Sequence, residues 1–564
     1  MSKSFSRVSR NRPKRNPFDL SIERKQSMRF GHLTPILCQE VLPGDTFSIG
    51  TTALIRFAPL VAPMMHRVDA FMHYFFVPNR LVWSEWEQFI TGGEKGEFLG
   101  DNVPVVPYVE GHPSVANLIG LAPYFAKYSL WDMMGLPVLK QTVGDTMVIP
   151  KVSQLPFRGY QLIYNEWYRD QNLSNKIEIP MTGGVHFLPN YNVQLPIDDP
   201  LMINRGVMLM RNRNWRKDYF TSALPTPQKG PEVRIPVVGD VVLHPDAGQP
   251  GTGRYPFLVD QIATGNMEFS NVGMTHVSGE GQYNNRITHQ PPSTAHPLLI
   301  DPHGSLTVES GMTLNEFRFA HRLQRWFERN MRSGSRYAEF LRAHFGVSPR
   351  DERLQRPEYL GGGRLPIQVS EVLQTSSTDS TSPQGNMAGH GVGVGKFASM
   401  KRNFYEHGFI IGILSVVPQP TYDGVIHRQF LKRSPFDYYF PEFAHLGEQE
   451  IKHSEINWSW VDDPEDQDRN ESTWGYQERY SEYKFNFNTV HGDFHDNLAF
   501  WHMARSFDPN NAVPLNEEFI RVTQSDNITR VFAIDSPNVD LLWCQLFHDI
   551  KAIRPVPVYS TPTI

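Results

Sequence analysis

Two cysteines, Cys38 and Cys544, are all that 564 residues contain. Thiols so far apart in the chain can build neither a disulfide framework nor a cysteine-based zinc module. Long apolar runs are also missing. The longest, Phe409 to Val417, falls well short of the ~20 residues a membrane helix needs, and Gly412 interrupts it. No membrane insertion is therefore expected. The basic N-terminus has no apolar stretch behind it, so it does not read as a secretory signal. Broad basic charge is absent too. The formal net charge is -5, whereas a dedicated nucleic-acid enzyme carries a basic excess. Any contact with nucleic acid must be local. There is no Gly-x-Ser-x-Gly elbow, no zinc-protease helix signature and no nucleophile with a sequence-visible partner. No catalytic residue, bound metal or cofactor is expected.

What is present is apolar and aromatic surface, 40% and 12% of the residues, enough for a large core. Proline (44) and glycine (42) are spread throughout. With many short apolar runs, they favour short strands joined by long loops. Val68, Ala70, Met72, Tyr74 and Phe76 fall on one face at period two. Phe409 to Val417 reads as a strand covered on both sides. A last strand is predicted where Leu542, Cys544, Leu546 and Ile550 alternate with Trp543, Gln545, Phe547 and Asp549. First and last strands so far apart imply many non-local pairings, as in a sandwich of Greek-key type.

Helices are few. Tyr160, Ile163, Tyr164 and Trp167 repeat at helical spacing. A clearer helix starts at the capping box Thr313 to Glu316, with Leu314, Phe317, Ala320, Leu323, Trp326 and Phe327 as its apolar stripe. Arg318, Arg322, Arg325, Arg329 and Arg332 line its opposite face. That stripe suits a solvated face, a subunit interface or contact with phosphates. Gly334 interrupts the pattern, and Gly346 is expected to cap a second short helix.

Three segments differ in composition. Residues 1–30 carry a charge of +7, leaving about -12 for the rest. Pro13 and Pro17 argue against a helix there, so the segment reads as an extended basic arm. Lys3, Arg7, Arg10, Arg12, Lys14 and Arg15 are its candidate DNA contacts; the alternative is a tether to a neighbouring subunit. Residues 226–305 hold ten prolines and ten glycines and read as an insertion. Within it Val237, Val238, Gly239, Asp240, Val241 and Val242 suit a hairpin with a Gly-Asp turn. Residues 374–396, rich in Gln, Ser, Thr and Gly, read as a flexible loop. Its end, Gly389 to Lys396, fails the spacing of a phosphate loop.

Two polar clusters invite metal readings. His491, Asp493, His495 and Asp496 could ligate a transition metal, which would make the chain a metal-dependent β-sandwich enzyme; polar loop residues are the simpler reading. Asp462 to Asp468 lacks the glycine and terminal Glu of a calcium loop and reads as a solvated acidic loop.

Eight segments resemble the major capsid proteins of the Microviridae, in their gokushovirus branch. They are Glu40–Phe47 (EVLPGDTF), Ala58–Arg67 (APLVAPMMHR), His73–Arg80 (HYFFVPNR), Tyr160–Gln171 (YQLIYNE, then YRDQ), Asp218–Pro225 (DYFTSALP), Leu354–Gly363 (LQRPEYLGGG), Pro383–Gly391 (PQGNMAGHG) and Pro441–Ala444 (PEFA). They stand in the family's order across nearly the whole chain. The resemblance implies a mainly β fold, an eight-stranded antiparallel jelly roll with long loop insertions and a few helices. The core would span 31–225 and 306–564. It implies self-assembly into a T=1 icosahedral shell around a circular single-stranded DNA genome, put together in the cytoplasm of a bacterial host. Residues 226–305 would form the three-fold protrusion that meets a host surface receptor. Further implied partners are an internal scaffolding protein, a DNA pilot protein and a small basic DNA-condensing protein.

Overall fold

The computed structural model describes residues 13–559, apart from 95–102, 112–119, 140–148, 197, 232, 234–256, 259–298, 301–313, 335, 374–386, 398 and 535–538. Its main sheet has ten strands: β1 (Asn16–Asp19), β2 (Ile22–Met28), β3 (Thr34–Val41), β4 (Thr46–Phe57), β5 (Val68–Pro78), β6 (Glu358–Leu373), β7 (Met387–Lys396), β8 (Met400–Asn403), β9 (Gly408–Pro418) and β10 (Leu542–Arg554). They are ordered β1-β10-β4-β7-β6-β5-β9-β3, with β2 also on β10 and β8 also on β4. All pairings are antiparallel. The chain is thus mainly β, with one curled antiparallel sheet. Ten strands stand where eight are expected because β1 and β2 share one edge of β10, and β7 and β8 share one edge of β4.

The curl comes from β6. Its residues Glu358–Ile367 pair with β5, and Gln368–Leu373 pair with β7. One sheet half is therefore β1/β2, β10, β4 and β7; the other is β5, β9 and β3. Their inner faces meet in one core. Ile49, Ala53, Ile55, Cys544, Leu546 and Ile550 come from the first half, and Val68, Ala70, Met72, Tyr74, Phe76, Ile410 and Leu414 from the second. The period-two positions of the sequence are the reason, since alternate side chains point to one face. In the middle of this core Thr51 Oγ1 bonds both Tyr74 Oη and, at 2.7 Å, His548 Nδ1. All three are fully buried, so a polar clamp joins the two halves where an unpaired group would be costly.

The second half is covered on its outer side as well. Ile411 and Ile413 of β9 and Phe75 and Val77 of β5 pack there with Trp83, Trp131, Phe157 and Tyr160. This double burial explains the unbroken apolar run of β9. Helix α1 (Leu155–Ile163) lies in this layer and continues as a wider turn, Tyr164–Tyr168. Arg158, buried within it, donates to Gln154 Oε1 and to the carbonyls of Val82 and Thr182. A third apolar cluster gathers Phe220, Tyr422, Trp474 and Phe519.

Among the described residues the strands of the main sheet come from 16–78, 358–418 and 542–554. The stretches between them, 79–357 and 419–541, are long excursions, so the expected core segments 31–225 and 306–564 hold much helix and loop. The chain divides into two compact units, 1–230 with 327–564, and 231–326. In the second unit Phe257–Leu258 pairs with Leu299–Ile300. The hairpin expected at Val237–Val242 and the capping residue Thr313 lie outside the described residues. Helix α2 runs Leu314–Ser333 and α3 runs Tyr337–Phe345. Gly346 caps α3 in the left-handed conformation, φ 69°, as its position foretold.

One expectation needs correction. The flexible loop placed at 374–396 is strand from Met387 onward; residues 374–386 lie outside the described set. Its glycines alternate on the inward face, and at Gly389 and Gly391 the neighbours leave no room for a side chain. A Cβ on Gly391 would lie 2.3 Å from the Phe57 ring, and one on Gly389 2.4 Å from the Ala62 carbonyl oxygen. Glycine here lets backbone and ring approach closely; it does not mark mobility.

Two outcomes follow from this packing. Gly391→Ala should lower stability by about 1–3 kcal/mol in equilibrium unfolding, and an unchanged unfolding midpoint would contradict the close approach. Burial pushes His32, His66, His73 and His548 down to about 4, from an unfolded value near ~6.5. The unfolded chain then binds more protons across that interval. Stability should be intact above pH ~6.5 and fall progressively as the pH drops towards about 4, read as urea midpoints across a pH series.

Candidate functional site

The polar clusters resolve into local structure. His491 Nε2 bonds Thr489 Oγ1 at 2.8 Å, and His495 Nδ1 bonds Asp423 Oδ1 at 2.5 Å. The two imidazole rings are 6.2 Å apart and nearly perpendicular, and they do not converge on a common point. Among the described residues no three His, Cys, Asp or Glu side chains are grouped to hold a metal ion. The acidic run is a helix start instead of the expected loop. Asp463 accepts from the backbone N–H of Glu465 at 2.9 Å, capping helix Pro464–Glu471, and Asp466 pairs with Arg469 at 3.0 Å. Carboxylates favour that position because the first-turn N–H groups are unpaired. No described helix is long and apolar enough to cross a membrane.

The basic arm divides in two. Its second half is pinned to its own chain, since β1 and β2 pair with β10. Arg24 donates to the Met133 carbonyl at 2.6 Å, and Arg29 pairs at 3.1 Å with the buried Asp540, whose carboxyl burial raises. These cations serve the fold. Lys14 and Arg15, just before β1, are exposed. Lys3, Arg7, Arg10 and Arg12 lie outside the described residues.

The arginine stripe is likewise uneven. Arg318, Arg322, Arg325 and Arg329 are exposed on α2. Arg332 is committed elsewhere, paired with Glu448 and, at 2.8 Å, with Glu478. Burial raises the Glu448 carboxyl and Arg332 opposes that rise. The apolar side of α2 is not covered at its start: Leu314 is 63% and Phe317 46% exposed. Only near its end does the helix bury a side chain, Met331.

Two further surfaces escape a motif search. Short turns over 428–443 leave Phe430 and Phe436 exposed, as is Tyr483. The density of aromatics between Pro435 and Pro441 is the available signal. The second surface is the outer side of the first sheet half. Trp543 is 46%, Phe547 49% and Val394 64% exposed there, on strands whose other face is core. Three cations flank them. In the antiparallel register Arg56 stands beside Trp543, Lys396 beside Thr52, which also faces Phe547, and Lys401 beside Ser48, which also faces Lys551. Lys551 is held by Asp19 at 2.5 Å and Lys25 by Glu23 at 3.6 Å. Aromatics on the polar face of an alternating strand are the sequence sign of this surface.

A family described as "Capsid protein (F protein)" matches residues 6–564. The chain is 35% identical to capsid protein VP1 of Chlamydia phage 1, covering 100% of this chain and 98% of that protein. It is 33% identical to capsid protein VP1 of Bdellovibrio phage phiMH2K, covering 99% and 97%. Against capsid protein VP1 of Spiroplasma virus 4 the identity is 28%, over 99% and 97%. Exposed apolar faces around a rigid sheet, on a chain matched from end to end by coat proteins, have one family explanation: the chain belongs to the F-type capsid protein family of bacteriophages, among the gokushovirus-like Microviridae.

Proposed function

We propose that this chain is the major coat protein of a small bacteriophage, closing into a T=1 icosahedral shell around circular single-stranded DNA. The observation that carries this reading is the match along the whole chain to phage capsid proteins. The physical features agree. A curled sheet with a shared core is a stiff block, and long excursions between its strands supply surface for several neighbours. Exposed Phe430, Phe436 and Tyr483 suit the apolar centres of contacts between copies. Closed symmetry multiplies such contacts, so no single interface needs to be strong. The sheet itself is read as the eight-stranded jelly roll of viral coats, with short edge strands added.

In this reading residues 226–305, with Val237–Val242, form the surface protrusion that binds a host receptor. The arginines of α2 that the fold leaves uncommitted meet a neighbouring copy or phosphates. Lys3, Arg7, Arg10, Arg12, Lys14 and Arg15 contact the genome, where cation–phosphate contacts release counterions. An internal scaffolding protein, a DNA pilot protein and a small basic DNA-condensing protein complete the particle, which is assembled in the host cytoplasm. Full-length chain expressed in bacteria with the scaffolding protein should yield uniform closed particles in negative-stain electron microscopy. Monomers alone, or open sheets and tubes, would overturn the reading.

A further inference from the structure

The outer side of the first sheet half repeats one arrangement along β4. At Arg56, the neighbour on β10 is Trp543. Four residues away, Thr52 lies between Phe547 on β10 and Lys396 on β7. Four further, Ser48 lies between Lys551 on β10 and Lys401 on β8. A four-residue step is ~14 Å along a strand, and adjacent strands are ~5 Å apart. Cations thus recur at one interval down the sheet, Arg56 directly beside Trp543 and Lys396 across Thr52 from Phe547. Arg56, Lys396 and Lys401 form no ion pair among the described residues. Lys396 is exposed, with its Cε 3.5 Å and its Nζ 4.0 Å from where a Cβ on Gly50 would stand. Beyond the Lys551 end, β1 delivers exposed Arg15 and Lys14, because Asn16 pairs with Arg554.

We infer that this face is a binding track for single-stranded nucleic acid, on which bases stack on Trp543 and Phe547 while Arg56, Lys396 and Lys401 meet phosphates. The inference rests on the genome-enclosing reading above and gives it a location on the folded sheet. Two properties favour this occupant over a second copy of the chain. The charge of the free groups on the face is positive in a chain of net charge -5. The track also runs toward the described base of the basic arm, where Lys14 and Arg15 are exposed; between them Lys551 is neutralised by Asp19 and Asp549. Stacking on a ring face and salt-sensitive phosphate contacts need no base sequence, as befits a container.

The test is fluorescence anisotropy of labelled oligothymidylate with the purified full-length chain across a salt series. Trp543→Leu with Phe547→Leu should weaken binding at least about tenfold, since each stacked base contributes substantially. Trp543→Phe, which keeps a ring, should bind within about threefold of the parent. Arg56→Gln, Lys396→Gln and Lys401→Gln together should flatten the slope of log affinity against log salt by about 2, at ~0.7 for each phosphate contact on a single strand. Equal affinity of the leucine variant, or an unchanged slope, overturns the inference. So does a leucine variant that keeps its DNA affinity but no longer forms particles, because the face is then an interface between copies. If the leucine variant melts, the glutamine set, made only at exposed positions, decides by its slope. If the parent chain itself shows no affinity, the genome-enclosing reading fails together with the track; parental binding with unaffected variants removes the track alone.

Discussion

Strand β6 gives its first ten residues to β5 and its last six to β7. That sharing is the constraint on which the rest of the molecule depends. A strand common to both sheet halves forces them to fold over one core, and the Thr51–Tyr74–His548 bonds then fasten the halves from inside. An apolar core alone would tolerate sliding of one half over the other. A buried polar clamp with directional bonds does not, because any slip leaves a hydroxyl or imidazole unpaired. The alternate glycines of β7 serve the same closure by admitting Phe57 and the backbone near Ala62 at short range.

The two outer faces then diverge. The second half is roofed by α1 and its aromatic neighbours, which makes β9 apolar on both sides. The first half has no such roof among the described residues, and its outward side keeps rings and cations in water. A rigid sheet with one face left open presents side chains in fixed register, at strand spacing. Loops could not hold such a spacing. Other exposed aromatics, Phe430, Phe436 and Tyr483 among them, sit on the long excursions between strands.

Much of this is legible in the residues. The alternation in β10 and β5 and the unbroken run of β9 mark strands with the burial that the structure shows. The helical spacing around Tyr160 and the cap at Gly346 also hold. Strand β7 escapes such a reading because glycine is rare in strands, and spacing alone cannot show that a phenylalanine from the next strand occupies the missing side chain. Strands β1 and β2 are hidden in a charged arm; Ile22–Met28 is nearly all polar, and only its partner β10 makes it a strand. The arginine stripe does fall on α2, yet its periodicity cannot reveal that Arg332 belongs to Glu448 and Glu478. The histidine cluster looks like a ligand set because proximity in sequence says nothing of where the lone pairs point. The surface aromatics of β10 are visible as letters, but their alignment with Arg56 and Lys396 exists only once β4 and β7 are in register.

The pairing of β10 with β4 has a consequence for synthesis. Arg554 and the buried Asp45, 509 residues apart, are joined by an ion pair at 2.9 Å. A ribosome therefore exposes β4 long before its central partner exists. During that interval the nascent chain carries an open, apolar strand edge, the kind of template to which other unfinished chains adhere. Folding of this half waits on translation of the last strand, and the pace of elongation, together with any chaperone that shields β4, sets the yield of usable subunits.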